Sequence, residues 1–591
     1  MRVIGAALLD EPHHDGSDTY VLERPNALGG EAVVRLRVPR AAGLDSVGLR
    51  WVQDGEPRFV RAEVDVETEL ETWWRARFPV ANPVTRYRWL LHGQAGVAWL
   101  SGIGLTRRDV PDADDFVINP NDGAPEWHLE SVVYQIFPDR FASSGLGVEP
   151  PEWAIPRRWD ELPTGRGPET PFEWFGGDLR GIEQHLDHIE SLGANVVYFT
   201  PIFPAGSTHR YDATTYEHVD PLLGGDEALA SLLSAAHVRG FRVIGDLTTN
   251  HTGDKHEWFI RGERELYLFD ESGGYESWLG VKTLPKLNWQ SPQLRARMLD
   301  AVRRWLDFGL DGWRIDVANM TGRYRDVDVN AEVAGALRDA VGNSLLLAEH
   351  GHDFRADLDG RGWHGVMNYS GFLRPIWFWL RGDGFGRDPF LGSPAPRLTG
   401  DGVVETMHAF RAGIPWQCTV HSWTLLDSHD TARFRTVTSS RDRHIVGIGL
   451  QMTMPGVPMV FAGDEIGLEG EWAEDARRTM PWDRPDTWDG PLLEEFRSLI
   501  ALRRSSDALA RGGIRYAYVD DDVIAYLREA EGERLLCLAS RDDHEPVRLP
   551  LAALGCSRLE TLYGADAAIE DSAAALPAGG PAFSVWTLVD G

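Results

Sequence analysis

Lysine, cysteine and long apolar runs are all scarce in this chain of 591 residues. Its only lysines are Lys255, Lys282 and Lys286. The three cysteines lie far apart with no C-x-x-C spacing, so the sequence predicts neither a disulfide framework nor a zinc site. No stretch approaches the length of a membrane span, and the opening MRVIGAALLDEPHHDG has too short an apolar run for a signal peptide. We therefore expect a cytoplasmic protein that has no membrane partner.

Basic residues are also few relative to acidic ones, 59 against 90, which gives a net charge of −31. A surface with that field repels phosphate backbones and anionic headgroups. Nucleic acid is therefore excluded as an expected partner. Apolar residues make up 43% and charged residues 25%, the ordinary composition of a large globular protein with several domains.

Both ends of the chain have the sequence pattern of β-sheet domains. Residues 1–122 contain short alternating segments such as EAVVRLRV and RYRWLLHG between Gly, Asp and Pro turns, which predicts an N-terminal β-sandwich. Residues 506–591 contain IRYAYV, DVIAYLR and RLLCLAS, which predict a second β-sandwich. The stretch at 118–127, INPNDGAPEW, is typical of a linker.

The middle of the chain predicts an α/β fold, a (β/α)8 TIM barrel. Eight short apolar runs alternate with helical patterns: VVYQIF, NVVYFT, RVIGDL, DGWRID, SLLLAE, HGVMNY, TLLDSHD and VPMVFAGDE. In the pattern from Ser291 onward, Ser291 is placed to cap a helix whose Leu294, Met298, Val302 and Trp305 share one face. We assign the barrel to 123–249 and 291–505. The long aromatic segment between them, 250–290, predicts a small excursion domain after the third strand.

Polar residues at the carboxyl ends of these strands are the candidates for chemistry, because the active site of such a barrel lies there. Four are acidic, and two histidines and an arginine accompany them: Asp246, Asp316, Glu349, Asp430, His251, His429 and Arg314. This set fits two kinds of site. One is a metal site built from oxygen ligands, and the other is a catalytic site in which one carboxyl is the acid and another the nucleophile toward a neutral polyol. For any single residue a structural ion pair is an equal alternative, but not for all four acids in strand order.

Four segments in order, DLTTNH (246–251), GWRIDVAN (312–319), AEH (348–350) and LLDSHD (425–430), resemble the signature segments of the α-amylase family, glycoside hydrolase family 13. YQIFPDRF, TPIFPAGSTHRYDATTY, LPKLN and GVPMVFAGDEIGL are similar to its cyclomaltodextrinase, neopullulanase and maltodextrin glucosidase branch. The resemblance covers roughly residues 125–485.

The resemblance implies Asp316 as nucleophile, Glu349 as general acid and base, and Asp430 as the carboxylate that stabilises the transition state. The reaction would be hydrolysis of an α-glucosidic bond with retention, for which the two reacting carboxyls lie roughly 5 to 5.5 Å apart. The residues themselves agree, because Arg314 beside Asp316 is expected to keep it ionised, while Glu349 near two carboxylates is expected to hold its proton.

Sugar contacts are also implied by the resemblance. His251, His429 and Asp430 would bind hydroxyls of the sugar at the cleavage point, and Tyr211 would stack on its ring. Asp246 is expected to orient Arg314 rather than to touch sugar, although it is grouped with the substrate site. Trp278 in the excursion is a candidate platform. Arg477, beside Arg478 in RRTMPWD, resembles a segment that contacts more distant sugars.

Two departures from the family pattern bear on cofactors and acceptors. After PDRF, members that bind calcium carry a loop rich in Asn and Asp, whereas this chain has ASSGLGVEP, which lacks oxygen ligands for a hard cation. We therefore expect no calcium there and no other cofactor. Many relatives also have a Trp within two residues of the acid, where this chain has His350 and Gly351.

The sequence thus predicts an α-1,4-glucan hydrolase for cyclic maltooligosaccharides and short maltodextrins that releases maltose or glucose. The resemblance further implies a homodimer in which the N-terminal domain covers the partner's cleft. A maltodextrin glucosidase acting on linear sugars, a transglycosylase, a non-catalytic glucan-binding protein and an unrelated metal hydrolase on the same barrel remain as alternatives.

Overall fold

The structure is a computed structural model that describes residues 6–94, 96–120, 123–145, 147–388 and 392–590. The predicted boundary at residue 122 and Leu146, one residue of the loop considered for calcium, lie outside this range. The other residue boundaries drawn between domains stay predictions.

A closed barrel of eight parallel strands, β1–β8, forms the centre of the molecule, which confirms the predicted fold class. The strands are Val133–Ile136, Val196–Phe199, Arg242–Thr248, Gly312–Asp316, Leu345–Glu349, Gly365–Met367, Trp423–Leu425 and Val457–Phe461. Each coincides with one of the eight predicted apolar runs. The pairing of β1 with β8 closes the barrel, so no strand has a free edge.

Helices surround this barrel and connect its strands. The α-helices from the barrel region are Pro138–Phe141, Leu179–Gln184, Leu186–Leu192, Gly225–Val238, Glu257–Ile260, Pro292–Phe308, Asn330–Val341, Arg374–Leu380, Gly400–Arg411, Trp416–His421, Phe434–Thr438, Arg441–Thr453, Ala473–Ala476, Gly490–Arg504 and Asp507–Ala510. A π-helical turn, Tyr369–Leu373, leads directly into the helix that begins at Arg374.

The helix Pro292–Phe308 follows the sequence prediction closely. The Ser291 hydroxyl accepts the backbone N–H of Leu294 at 3.3 Å, and Pro292 occupies the first turn, where its missing N–H costs nothing. The predicted apolar face is buried against the barrel.

The N-terminal region is a sandwich of two antiparallel sheets that share one apolar core. In spatial order the first sheet contains Val21–Glu23, Glu31–Pro39, Glu71–Pro79 and Glu63–Glu67. The second contains Glu56–Arg61, Leu44–Gln53, Thr85–Gly93, Gly96–Ser101 and Gly104–Thr106, with Phe116–Ile118 paired to Thr85–Gly93.

The C-terminal region also has two antiparallel sheets around its own core. The larger contains Gly513–Val519, Val523–Ala530, Glu533–Ser540, Ala582–Val589 and Arg558–Tyr563. The smaller contains Val547–Pro550, Ala573–Leu576 and Ala568–Glu570, and a short helix, Leu551–Leu554, follows its first strand.

The excursion after β3 has little regular structure of its own. It contains a helical turn, Glu257–Ile260, and two 3-10 turns, Arg264–Leu266 and Trp278–Gly280. Its returning segment pairs with the chain leaving β3 through a bridge between His251 and Lys286. The excursion is therefore fastened directly beside the end of β3.

Replacing Ser291 with Ala is expected to destabilise the protein by about 1 kcal/mol, because the N–H of Leu294 loses its capping partner. The measurement is the urea midpoint of unfolding followed by circular dichroism. Ser498→Ala is the matched control, since Ser498 is exposed in the middle of the helix Gly490–Arg504 and alanine is a good helix former. Equal losses in both variants would contradict the capping role.

Candidate active site

The predicted site residues converge at the carboxyl ends of neighbouring strands. The register of β3 and β4 places Asp246 beside Arg314 and Thr248 beside Asp316. Glu349 is the last residue of β5, and Asp430 follows β7. Because all barrel strands are parallel, these ends meet at one mouth of the barrel.

Arg314 lies at the centre of this group and joins three carboxylates. Its Nη1 lies 2.9 Å from Asp246 and 3.1 Å from Asp316, and its Nη2 lies 3.2 Å from Glu349. Burial opposes its charge, but the Asp246 carboxylate and its neighbours raise the pKa of Arg314 well above the ordinary value. A fully buried cation therefore stays charged.

The side chains around Arg314 differ in how far water and ligands reach them. Arg314 and Asp246 are 0% exposed, whereas Asp316 is 8%, Glu349 19% and Asp430 29% exposed. A ligand at the mouth therefore meets the last three carboxylates and not Asp246. The expectation that Asp246 orients Arg314 rather than touching sugar stays a prediction.

The electrostatic environment of Asp316 differs from the sequence prediction. Burial and the neighbouring Glu349 carboxylate raise the pKa of Asp316 well above the ordinary value, although Arg314 acts in the opposite direction. Arg314 lowers the pKa of Asp316 in the predicted direction, but it is shared with Asp246 and Glu349, and burial has the larger, opposite effect. Tertiary burial, which the sequence does not show, is the larger effect.

The turn after Asp316 helps to hold Glu349. Val317 has a φ of 45°, an uncommon conformation for a β-branched residue. Its backbone N–H donates to Oε2 of Glu349 at 2.8 Å. The strained residue thus presents a donor to the carboxylate on the adjacent strand end, a pattern found at functional sites.

His429 is buried and held in one tautomer by Gln135 from β1. The backbone N–H of His429 donates to Oε1 of Gln135 at 3.2 Å, so the amide N of Gln135 faces Nδ1 of His429 at 2.9 Å. Nδ1 is therefore an acceptor and Nε2 carries the proton. Burial holds the pKa of His429 well below its ordinary value, so the ring is neutral.

Tyr211 connects His429 to the arginine cluster. Its hydroxyl lies 2.7 Å from Nε2 of His429 and donates to Oδ2 of Asp246 at 3.0 Å. The two rings are stacked, with centroids 5.7 Å apart. Gln135 thus donates to His429, His429 donates to Tyr211, and Tyr211 donates to Asp246. Arg314 also donates to Asp246.

Asp430 is bound by groups from two directions. Its Oδ2 lies 3.2 Å from Nε2 of His429, and its Oδ1 accepts from Nη2 of Arg477 at 3.0 Å. Arg477 also donates to the carbonyl of His429 at 2.8 Å. The sequence predicts that Arg477 contacts more distant sugars, and the structure places its guanidinium directly against Asp430. The neighbouring Arg478 pairs with Asp475.

His251 and Trp278 form the side of the site that the excursion supplies. Their ring centroids are 5.8 Å apart, and Trp278 is partly exposed. His251 is 1% exposed, and its Nδ1 lies 3.1 Å from Nδ2 of Asn250. Burial and the charge of Lys286 lower the pKa of His251 to about 3, against the opposing effect of the Tyr211 backbone carbonyl.

His350, the residue after Glu349, has a structural partner. Its Nε2 lies 3.0 Å from Oδ2 of Asp357, and Asp357 in turn binds Arg323 through both oxygens. His350 is 4% exposed, so it stabilises the loop after β5 rather than lining an open surface.

The loop after the helix Pro138–Phe141 does not fit a calcium ion. The carboxylate of Asp178, which contacts this loop, accepts from the backbone N–H and hydroxyl of Ser144 at 2.8 and 2.9 Å and from the N–H of Gly181 at 2.7 Å. Donors therefore already surround this carboxylate. Across the described part of the chain, no group of three or more His, Cys, Asp or Glu is arranged to hold a metal ion.

Sequence reasoning missed three contributors to the site, Gln135, Asn250 and Lys286. Each lies within a segment that resembles the family, but none carries a charge pattern or spacing that marks it. Their roles depend on contacts between β1 and the β7 loop, and between the excursion and β3, which only the folded chain brings together.

Known proteins are similar to this chain over most of its length. The family model described as the α-amylase catalytic domain matches residues 135–265 and 265–340. The cyclomaltodextrinase of Geobacillus thermopakistaniensis is 32% identical over 462 residues, which cover 75% of this chain and 74% of that protein. The structure of cyclic α-maltosyl-(1→6)-maltose hydrolase from Arthrobacter globiformis matches with a TM-score of 0.65 and 30% identity over 78% of this chain and 99% of that one. A cyclomaltodextrinase structure has a TM-score of 0.73 and 26% identity over 98% of this chain and 100% of that one.

The barrel, the clustered carboxylates and these similarities define a carbohydrate-cleaving enzyme. The chain belongs to the α-amylase family of glycoside hydrolases, family 13. The resemblance of the four signature segments is thereby confirmed. In the described ranges, no helix is long and apolar enough to cross a membrane.

Asp316→Asn is expected to raise the thermal midpoint at pH 7 by a few degrees. Because the pKa of Asp316 is raised in the folded state, stability is lost as the pH rises above the ordinary carboxyl value of about 3.9 toward the raised pKa, and there is no cost below the ordinary value. The measurement is the melting temperature of both proteins at pH 7 and near pH 4, where the difference should shrink. Asp300→Asn, at an exposed position, is the control. A lower midpoint for Asp316→Asn at pH 7 would show that the ion pair with Arg314 outweighs burial.

Proposed function

We propose that this enzyme hydrolyses α-1,4-glucosidic bonds of cyclic maltooligosaccharides and short maltodextrins with retention of configuration, and releases maltose or glucose. The observation that carries the proposal is the convergence of Asp316, Glu349 and Asp430 at one mouth of the barrel around the Arg314 cluster. The two reacting carboxyls and a third stabilising one are what a retaining glycosidase of this family requires.

In the first step Asp316 attacks the anomeric carbon while Glu349 donates its proton to the leaving glycosidic oxygen. The bond from the anomeric carbon to that oxygen breaks, and a covalent glycosyl ester forms on Asp316. In the second step Glu349 takes a proton from water, the hydroxide attacks the anomeric carbon, and the Asp316 carboxylate leaves. Two inversions give net retention.

The surrounding groups favour a positively charged transition state. Asp430 is exposed enough to face the sugar, and it is fixed by Arg477 and His429. His429 is neutral, and its Nε2–H lies 2.7 Å from the Tyr211 hydroxyl and 3.2 Å from Asp430, so it holds both side chains without adding positive charge. Tyr211, stacked on His429 beside Asp430, supplies the flat face for the sugar ring.

The preference for small and cyclic sugars is supported by the similar proteins, which are named for cyclic maltooligosaccharides. Trp278 adds a partly exposed ring beside His251, and Leu279 next to it is 71% exposed with a φ of 47°. An aromatic and an aliphatic side chain at the rim provide a surface on which the apolar face of a second glucose unit can pack.

We also propose that the enzyme acts as a homodimer through its N-terminal sandwich. Exposed apolar side chains gather on the edge strands of both sheets there: Phe59 at 58%, Val64 at 47% and Val66 at 43% exposure. Clusters of this kind are typical of protein interfaces. A cytoplasmic location is supported by the cysteines, since Cys418, Cys537 and Cys556 form no disulfide bond with one another.

The dimer is tested by Phe59→Asp, which is expected to convert the protein from twice 66.0 kDa to a single chain of 66.0 kDa in sedimentation equilibrium. A charge in an apolar interface must be desolvated without a partner, so association is lost. Leu562→Asp is the matched control, because Leu562 is 46% exposed on a strand of the C-terminal sheet. A wild-type protein that sediments at 66.0 kDa would refute the dimer.

The activity is tested by a timed product profile of wild type and Glu349→Gln. The substrates are β-cyclodextrin, maltotetraose, pullulan, a cyclic tetrasaccharide with alternating α-1,4 and α-1,6 bonds, and soluble starch. Glutamine cannot donate the proton, so kcat/KM is expected to fall by about a thousandfold. The anomer first released by wild type, read by proton NMR, should be the α form.

Each outcome of this profile selects one function. Rings opened faster than starch support the cyclomaltodextrinase-like activity, and glucose removed only from the ends of linear chains indicates a maltodextrin glucosidase. Longer oligomers among the products indicate a transglycosylase. Unchanged turnover in Glu349→Gln contradicts the catalytic assignment, and sugar binding without turnover in wild type indicates a glucan-binding protein.

A further inference from the structure

Lys286 is a buried cation beside the site that the reaction itself does not use. It lies in the returning segment of the excursion and is 5% exposed. Its Nζ donates to Oδ1 of Asn250 at 2.6 Å and to the backbone carbonyl of Met320 at 3.1 Å. Both acceptors are neutral oxygens that belong to different strand ends, the loop after β3 and the loop after β4.

The ammonium determines how the Asn250 amide is oriented. An ammonium has only donors, so the atom of Asn250 that faces it must be the carbonyl oxygen. The amide nitrogen then faces Nδ1 of His251 at 3.1 Å. An amide nitrogen only donates, so Nδ1 of His251 is an acceptor and the ring proton is on Nε2.

The protonated Nε2 of His251 completes no hydrogen bond with a described protein group, although the backbone carbonyl of Tyr211 is near enough to affect the pKa of the ring. It is buried and forms no hydrogen bond within the described residues. A buried donor without a partner is costly unless a ligand satisfies it. In the proposed reaction that partner is a hydroxyl of the sugar at the cleavage point.

The same arrangement occurs on the opposite side of the site. There Gln135 is oriented by the backbone N–H of His429 and donates to its Nδ1, so the ring proton is again on Nε2, where the Tyr211 hydroxyl lies 2.7 Å away. His429 supplies its own orienting donor from its backbone. For His251, the donor that orients the amide is the ammonium of Lys286.

We propose that Lys286 is a positioning residue that acts through Asn250 to hold His251 in its Nε2–H tautomer for sugar binding. The inference rests on the proposed function for the identity of the ligand but not for the tautomer. Burial lowers the pKa of Lys286 to about 8, so its charge is costly to the folded state, and the bonds to Asn250 and Met320 oppose that cost.

The first test is a double-mutant cycle on kcat/KM for maltotetraose with Lys286→Met and His251→Ala. Methionine keeps the length of the side chain but cannot donate. Lys286→Met is expected to lower kcat/KM about tenfold in wild type, the effect of one misdirected hydrogen bond, and less than twofold when His251 is already alanine. A purely structural role predicts the same factor in both backgrounds, and that result would overturn the inference.

Lys282→Met is the matched control in the same excursion. Lys282 is exposed, and its Nζ contacts Tyr275, whose carbonyl lies 3.3 Å away and whose ring centroid lies 5.1 Å away. It is expected to leave kcat/KM unchanged. An equal loss in Lys282→Met would show that any lysine of the excursion matters, and so would overturn the specific role of Lys286.

The second test needs no folded Lys286→Met protein. The ¹⁵N spectrum of histidine-labelled wild type, with the His251 signals assigned by their absence from His251→Ala, reports which ring nitrogen carries the proton. Protonation at Nε2 is expected, and protonation at Nδ1 would overturn the inference. If wild type cleaves no α-glucan, the proposed function fails while this spectrum still decides the tautomer.

Discussion

The structure of this enzyme's site depends on one buried charge, the guanidinium of Arg314. It is completely removed from water and lies within 3.2 Å of carboxylates on three strand ends. A buried arginine left without such partners would cost several kcal/mol, and so would the carboxylates without it. The barrel therefore has to keep β3, β4 and β5 in fixed register, because a shift of one residue would turn these side chains to the other face of the strand.

Sharing one cation among three acids also sets their reactivity. A single ion pair would make Asp316 an inert carboxylate, but here its pKa is raised by burial and by Glu349. Both oxygens of Asp246 accept from Nη1 of Arg314, which also donates to Asp316, and Asp246 accepts in addition from the hydroxyls of Tyr198 and Tyr211. The fully buried Asp246 thus accepts hydrogen bonds from three side chains, while Asp316 and Glu349 are open to the mouth of the barrel.

The second constraint is the direction of hydrogen bonds. Gln135 and Asn250 are uncharged amides, yet each has its orientation imposed by a donor on one side and so imposes a proton position on a histidine. Both rings are buried and neutral, since desolvation lowers the pKa of each. Neutral rings add no positive charge to the mouth of the barrel, where Asp316, Glu349 and Asp430 lie.

The sequence by itself determined the barrel, its eight strands and the acids at their ends, because a buried parallel strand is a short continuous apolar run and its last residues are set by where that run stops. It also determined the capped helix after Ser291, since capping is local. Only the tertiary structure decided the raised pKa of Asp316, the contact of Arg477 with Asp430, and the parts played by Gln135, Asn250 and Lys286. Each of these depends on burial or on contacts between segments far apart in the chain. Local sequence pattern and residue spacing report neither the burial nor the contacts.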